Sequence, residues 1–141
     1  ACADDRAVAA LRGWGVTSGM VNVGGDLYAI GVSPEGDPWE VGVRDPFDAT
    51  RLAARFRVTD RAVATSGDYE QFFEHDGRRY HHLLDPATGE PRRTGGHSVT
   101  IVADRCMDAD AAGTAVFGMD RTAAERVLAV VDPRLAVLHV G

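Results

Sequence analysis

The sequence predicts an α+β fold in which a mostly antiparallel sheet is covered by helices. The order of the elements predicts this class, because one helical stretch precedes many short extended stretches, and two helical stretches and a last extended stretch follow them. The length of 141 residues is typical of one domain, so we predict a single domain over residues 1–141. A chain of this length buries roughly 70% of its unfolded surface, which is enough for a core without disulfides.

The first half of the chain predicts one helix and a series of short strands. The helix is predicted over residues 4–12, because Asp4 and Asp5 suit a first turn and Gly13 ends the apolar stripe. Residues 66–68 (Ser-Gly-Asp) are interpreted as a break in the chain. Strands are predicted at residues 20–23, 27–32, 39–43, 52–58 and 62–65.

The second half of the chain predicts a hairpin, a strand, two helices and a last strand. The pair Asp76-Gly77 is a strong hairpin turn signal between residues 71–73 and 79–84. Asp120 is expected to cap the second of the two helices. The remaining elements are predicted at residues 98–103 (strand), 106–117 (helix), 122–131 (helix) and 135–140 (strand).

The charge balance argues against one broad class of partner. The formal net charge is -6 at pH 7, whereas non-specific nucleic-acid binding requires a basic surface, so we expect no nucleic-acid partner. A phosphate-bearing ligand stays compatible, because bound Mg²⁺ can supply local positive charge. The two cysteines, Cys2 and Cys106, indicate neither a disulfide framework nor a metal site.

Residues 108–115 (Asp-Ala-Asp-Ala-Ala-Gly-Thr-Ala) are the most informative stretch. Asp110 and Thr114 are four residues apart, so they lie on one face of a helix. A carboxylate and a hydroxyl side by side offer the hard oxygen ligands that suit Mg²⁺. Asp108 points elsewhere and is expected to help cap the start of the helix. A solvated acidic helix N-terminus is the structural alternative for this stretch.

Two more polar stretches interrupt the apolar pattern. In residues 22–26 (Asn-Val-Gly-Gly-Asp), Gly24 and Gly25 allow the backbone to approach a phosphate closely, although a bulge or tight turn also explains them. Residues 64–69 (Ala-Thr-Ser-Gly-Asp-Tyr) offer two hydroxyls beside Gly67. These hydroxyls either hold phosphate or sugar oxygens or cap a turn.

A histidine opens the fourth polar stretch, residues 82–89 (His-Leu-Leu-Asp-Pro-Ala-Thr-Gly). At the end of a strand, His82 serves as a general base or as a donor to phosphate, or it has a structural role only. Asp85 and Thr88 are expected to hold the loop that aims it. The five histidines show no i, i+4 pair and no paired cysteine, which argues against zinc.

Taken in order, the four stretches resemble motifs of the FAD:protein FMN transferases, the ApbE family. The family pattern contains N-x-G-G-D, A-T-S-G-x-Y, H-I-I-D-P-x-T-G and A-D-A-x-A-T-A. It is matched at residues 22–26, 64–69, 82–89 and 109–115. The resemblance runs from about residue 5 to residue 141 and implies an ApbE-like, T-fold-like domain. It also implies that the chain is the C-terminal half of such a protein, with an N-terminal half of comparable size missing.

The resemblance implies a Mg²⁺-dependent enzyme that moves FMN from FAD to a Thr or Ser hydroxyl of an acceptor flavoprotein and releases AMP. It implies metal ligation by Asp110 and Thr114, and catalytic roles for His82 and Asp110. An FAD pyrophosphatase and a non-catalytic flavin-binding remnant are the alternatives. Flavin binding is implied for Asn22, Gly24, Gly25, Asp26, Ser66, Gly67 and His82. The resemblance further implies a bacterial protein that is extracytoplasmic or membrane-associated, although a cytoplasmic location is also compatible.

Overall fold

The computed structural model describes residues 1–48, 50–69 and 71–141. Within these ranges, no helix is long and apolar enough to cross a membrane. The helices and strands are α1 (Cys2–Gly13), β1 (Gly19–Val23), β2 (Asp26–Ile30), β3 (Trp39–Arg44), β4 (Leu52–Val58), β5 (Arg61–Gly67), β6 (Phe72–His75), β7 (Arg78–His81), β8 (Ser98–Ala103), α2 (Cys106–Val116), α3 (Arg121–Val131) and β9 (Ala136–Val140).

Five of the strands form one antiparallel sheet in the order β1-β2-β5-β8-β9. The central strands β5 and β8 pair without a register shift from Ala62↔Ala103 to Gly67↔Ser98. Every residue of β8 is buried, because both faces of the sheet are covered. The pairs β3–β4 and β6–β7 form two separate antiparallel hairpins. The predicted α+β class with a mainly antiparallel sheet is therefore confirmed.

Side chains alternate along the central strands and divide the core into two clusters. On one face of the sheet, Ile30 and Ile101 belong to the larger cluster, which includes buried residues of all three helices. On the opposite face, Val63 and Val102 pack in a cluster with Val41 of the β3–β4 hairpin. The sheet is therefore the middle of three layers, with helices on one side and a hairpin on the other.

Helix α2 lies close to the sheet because its buried face consists largely of small residues. Ala109, Ala112 and Gly113 are all buried in this contact. A Cβ atom added at Gly113 would lie only 2.7 Å from Oγ of Ser66 on β5. The short separation places the exposed Asp110, on the same helix, at the end of β5.

A side chain from α1 holds the N-terminus of α2. The carboxylate of Asp5 accepts the backbone N–H groups of Cys106 and Met107 at 2.8 and 3.1 Å. The residue at the N-cap position, Arg105, makes no capping hydrogen bond with its side chain. The expected cap from Asp108 is thus wrong: Asp108 lies within the first turn, where its charge still favours the positive helix end.

The C-terminus of α2 is held by an arginine from the loop after β7. The guanidinium of Arg92 donates to the carbonyl oxygen of Phe117 at 2.9 Å. It also lies 3.4 Å from the carbonyl oxygens of Thr114 and Ala115. A cation at this end satisfies unpaired carbonyl groups and opposes the negative end of the helix dipole.

Some predicted boundaries need correction. Ser66 and Gly67, predicted as part of a break, belong to β5, because they pair with Val99 and Ser98 of the neighbouring strand β8. The predicted strand over residues 79–84 ends at position 81 in β7. The hairpin turn predicted at Asp76-Gly77 lies between β6 and β7, as expected. The side chain of Asp120 accepts the N–H of Ala123 at 2.9 Å to begin α3.

The close contact between α2 and β5 can be measured with a double-mutant cycle. A Cβ atom added at Gly113 would lie 2.7 Å from Oγ of Ser66, which is too close, and 3.5 Å from Cβ of Ser66, which is an ordinary contact. Replacing Ser66 with alanine removes only the close contact. Alanine favours a helix over glycine by about 1 kcal/mol. We expect Gly113→Ala to raise the free energy of unfolding by about that amount in a Ser66→Ala background, and by less, or not at all, in the native background. Equal changes in urea denaturation in both backgrounds would contradict the contact.

Candidate functional site

A polar cleft of about 210 Å³ opens where the β1–β2 turn, the end of β5 and helix α2 meet. Its lining consists of Gly24, Asp26, Thr65, Ser66, Gly67, Gln71, His82, Asp110 and Thr114. Seven of the nine predicted site residues are among these, from four stretches that are far apart in the sequence. The structure therefore brings the four polar stretches together, and their roles remain predictions.

The turn between β1 and β2 explains its paired glycines. Gly24 and Gly25 have φ values of 71° and 105°, which a residue with a side chain rarely adopts. Oδ1 of Asn22 accepts the N–H of Gly25 at 3.4 Å, so this side chain braces the turn. Asn22 and Gly25 do not line the cleft, whereas Gly24 and Asp26 do.

Two carboxylates, Asp26 and Asp110, face the same cleft. Burial raises the pKa of Asp26, and the nearby negative charge of Asp110 raises it further. Among the described residues, no arginine lines the cleft, so its electrostatic field favours cations.

Asp110 and Thr114 both line the cleft, as the i, i+4 spacing predicted. In residues 1–48, 50–69 and 71–141, no group of three or more His, Cys, Asp or Glu side chains gathers as a metal site. Mg²⁺ is usually held by only one or two carboxylates, with waters and substrate phosphates completing its shell. The carboxylates of Asp26 and Asp110 and the hydroxyl of Thr114 are hard oxygen donors, so this donor set fits part of a Mg²⁺ shell.

His82 lies one residue beyond β7 and is exposed. Its Nδ1 atom is 3.4 Å from the carbonyl oxygen of Gln71, a long hydrogen bond across the base of the β6–β7 hairpin. A carbonyl oxygen only accepts, so this contact assigns the proton to Nδ1 and leaves a lone pair on Nε2. The Nε2 atom of His82 is then able to accept a proton.

The neighbouring histidine, His81, is buried and holds the backbone around His82. Its Nε2 donates to the carbonyl oxygen of Arg92 at 3.0 Å, and its Nδ1 accepts the N–H of Leu83 at 3.3 Å. These two contacts use both ring nitrogens and correspond to the neutral tautomer with the proton on Nε2. The ring also lies edge-on to Phe117, with centroids 5.9 Å apart. Sequence reasoning did not single out His81, because its partners are distant in sequence or belong to the backbone.

The turn after His82 is held by the two side chains expected to do so. Oδ1 of Asp85 accepts the N–H of Ala87 at 2.8 Å, and Oγ1 of Thr88 accepts the N–H of Glu90 at 3.3 Å. The backbone carbonyl of Asp85 also accepts the N–H of Gly89 at 2.8 Å. These short-range bonds fix the course of the chain between His82 and the loop that carries Arg92.

At the end of β5, packing explains the requirement for glycine. A Cβ atom at Gly67 would lie 2.6 Å from the ring of Tyr69, so the aromatic ring rests directly on the glycine backbone. Thr65 lines the cleft and its Oγ1 lies 2.9 Å from Oγ1 of the buried Thr100. Thr65 belongs to a predicted motif but is not among the predicted site residues, and Gln71 carries no sequence signal.

One protein family matches nearly the whole chain: residues 1–139 match the model described as the ApbE family. The chain belongs to the ApbE family. Among curated relatives of this ApbE chain, the FAD:protein FMN transferase of Treponema pallidum is 43% identical over 123 residues, which are 80% of this chain and 34% of the relative. The FAD:protein FMN transferase of Vibrio cholerae is 38% identical, over 86% of this chain and 36% of the relative.

Solved ApbE structures show the same fold. The crystal structure of the ApbE protein from Thermotoga maritima covers 99% of this chain with a TM-score of 0.83 and 36% identity, and the match takes up 47% of that chain. The apo flavinyl transferase ApbE of Pseudomonas stutzeri matches 89% of this chain and 40% of its own, with a TM-score of 0.71 and 34% identity. This ApbE chain thus spans about a third of the length of the curated relatives it matches, in their C-terminal part.

Proposed function

We propose that this ApbE chain carries the metal-binding and proton-accepting part of an FAD:protein FMN transferase. Such an enzyme moves FMN from FAD to a Thr or Ser hydroxyl of an acceptor protein and releases AMP. The observation that carries the proposal is the meeting of Asp110, Thr114 and His82 in one polar cleft. The name that the curated relatives share, FAD:protein FMN transferase, supports the proposed substrate and the class of acceptor. The rest of the flavin pocket is assigned to the part of the relatives' length that this chain does not span.

The proposed reaction transfers a phosphoryl group between two oxygens. The hydroxyl oxygen of the acceptor bonds to the phosphorus of the FMN portion, while the bond from this phosphorus to the bridging oxygen breaks. AMP leaves with the bridging oxygen and its electron pair, and the hydroxyl proton is taken up by a base. Transfers of this kind depend mainly on positioning the reactants and on stabilising negative charge.

His82 is the group best suited to take the hydroxyl proton. Its Nε2 atom carries the lone pair when Nδ1 faces the Gln71 carbonyl, and its exposure lets a protein hydroxyl reach it. Histidine exchanges protons readily near neutral pH. The buried His81 holds the backbone on both sides, which limits the positions that the His82 ring can take.

A divalent cation accounts for how an acidic cleft can receive a pyrophosphate. Asp26 and Asp110 would repel the phosphates of FAD, and no arginine among the described residues lines the cleft to offset them. Asp110 and Thr114 would hold Mg²⁺ through one carboxylate and one hydroxyl oxygen, with Asp26 facing the same space. Bound Mg²⁺ supplies positive charge against the pyrophosphate oxygens.

The metal assignment predicts that Asp110→Ala removes the dependence of FAD binding on Mg²⁺. Titration of FAD fluorescence with and without Mg²⁺ should show Mg²⁺-dependent affinity falling by roughly tenfold or more in this variant. The matched control is Asp108→Ala, which removes an equal charge two residues away, where the side chain lines the α2–α3 groove instead of the cleft. Mg²⁺ dependence that survives in Asp110→Ala would show the assignment to be wrong.

The base assignment predicts that His82→Gln slows FMN transfer far more than it weakens FAD binding. General-base catalysis contributes about 10²–10⁴-fold, so AMP release and covalent flavin on an acceptor protein should fall by that order. Arg126→Gln, at an exposed site on α3, which does not line the cleft, is the control and should leave both quantities unchanged. Equal losses of binding and rate would make His82 a binding residue. AMP release without covalent flavin in the native protein would indicate an FAD pyrophosphatase instead.

A further inference from the structure

A basic cavity of about 350 Å³ lies beside the polar cleft, on the side of His81. Arg78, Arg79, Arg92 and Arg93 line it together with His81, Gly77 and Pro91. Four of the 15 basic residues of a chain with net charge -6 therefore meet at one place. The one described carboxylate in the adjoining space, Asp68, is paired with His97. The arrangement favours an anionic ligand.

Two of the four guanidinium groups already bind other groups of the fold. Arg92 donates to the C-terminal carbonyl groups of α2, and Arg78 is paired with Glu90. Arg79 lies 4.2 Å from the ring centroid of Phe72, and its ion pair with the exposed Glu74 is long at 3.7 Å. Arg93 is exposed, and within the described part of the chain no ion pair holds it. Arg79 and Arg93 are therefore the groups with donors available to a ligand.

Exposed aromatic rings lie beside Arg78 and Arg79 on the β6–β7 hairpin. Phe72 and Phe73 are 42% and 63% exposed. Phe73 stacks on Tyr80 with ring centroids 5.1 Å apart, and the guanidinium of Arg78 lies 4.7 Å from the centre of the Tyr80 ring. Arginine together with exposed aromatic side chains is typical of the energetic centres of protein–protein interfaces.

The flavin phosphates are poor candidates for this cavity. The side chains of the consecutive residues His81 and His82 reach different spaces, so the backbone of this segment separates the basic cavity from the cleft. The FAD pyrophosphate is assigned to the cleft through Mg²⁺. An anion that binds to Arg79 and Arg93 would then belong to a second molecule.

We propose that the β6–β7 hairpin and residues 91–93 bind an acidic segment of the acceptor protein near the hydroxyl that receives FMN. This proposal rests on the proposed function. The acceptor must bring that hydroxyl to His82, which follows β7 directly. An interface of standard size buries about 800 Å² on each partner, roughly 30 Å across, so a protein seated at His82 also covers the hairpin. Acidic side chains complement Arg79 and Arg93 and steer the approach of the acceptor.

Peptide binding to the 141-residue chain tests this docking surface. The probes are two fluorescein-labelled peptides with one central threonine, flanked by three aspartates on each side in one and by three lysines on each side in the other. We expect fluorescence anisotropy to show binding of the aspartate peptide that weakens at high salt. The lysine peptide is the control for charge-driven binding to the acidic remainder of the chain, and Arg79→Glu/Arg93→Glu should not weaken its binding. Arg79→Glu/Arg93→Glu should weaken binding of the aspartate peptide by about tenfold or more.

Controls separate this docking site from a general charge effect and from the flavin site. Arg57→Glu/Arg126→Glu makes the same change in net charge at two other exposed positions and should leave peptide affinity nearly unchanged. Arg93→Glu alone tests the surface without disturbing the contact between Arg79 and Phe72. Flavin fluorescence measures Mg²⁺-dependent FAD binding separately, so a failure of the proposed flavin site is distinguishable from a failure of docking. Equal peptide affinity in all variants, or full competition by millimolar inorganic phosphate, would overturn the proposal.

Discussion

The close packing of α2 on β5 and β8 is the constraint on which the rest of the site depends. Small residues, Ala109, Ala112 and Gly113, make up much of the buried face of the helix toward the central strands. A larger residue at Gly113 would push the helix away from Ser66 or turn the serine hydroxyl. Because the helix cannot move far, the carboxylate of Asp110 is held at the end of β5.

Long-range contacts at both ends of α2 strengthen this constraint. Asp5 binds the first backbone N–H groups of the helix, and Arg92 binds its last carbonyl groups. The backbone carbonyl oxygen of Arg92 also accepts the ring N–H of His81, so Arg92 connects α2 to the segment that carries His82.

The start of α2 is itself buried. Cys106 at this position is fully buried, and burial raises the pKa of its thiol to about 12. The metal ligands and the base of the proposed reaction are thus tied to the same rigid layer.

The residues of the cleft could largely be predicted from the sequence, whereas the long-range contacts that hold them in place could not. Three features of the cleft follow from short-range sequence patterns, which set local geometry without tertiary contacts. They are the spacing of Asp110 and Thr114, the glycine pair at the β1–β2 turn and the turn after His82. The prediction that Ser66 lies in a break is wrong because a polar residue beside glycine is typical of a turn. Its pairing with β8 depends on the tertiary structure. The contacts of Asp5 join residues about a hundred positions apart, and no periodicity in the sequence predicts them. The basic cavity is likewise built from two separate arginine pairs that the β6–β7 hairpin brings together.

The central claim is that α2 and β5 carry the Mg²⁺-dependent part of the FAD site, and amide NMR spectra of the chain titrated with FAD and Mg²⁺ test it directly. The account predicts that signals of residues 24–26, 65–67 and 110–114 and of His82 change together, only when both are present, while those of α3 stay in place. Changes centred on the apolar groove between α2 and α3, or none at the cleft residues, would contradict it.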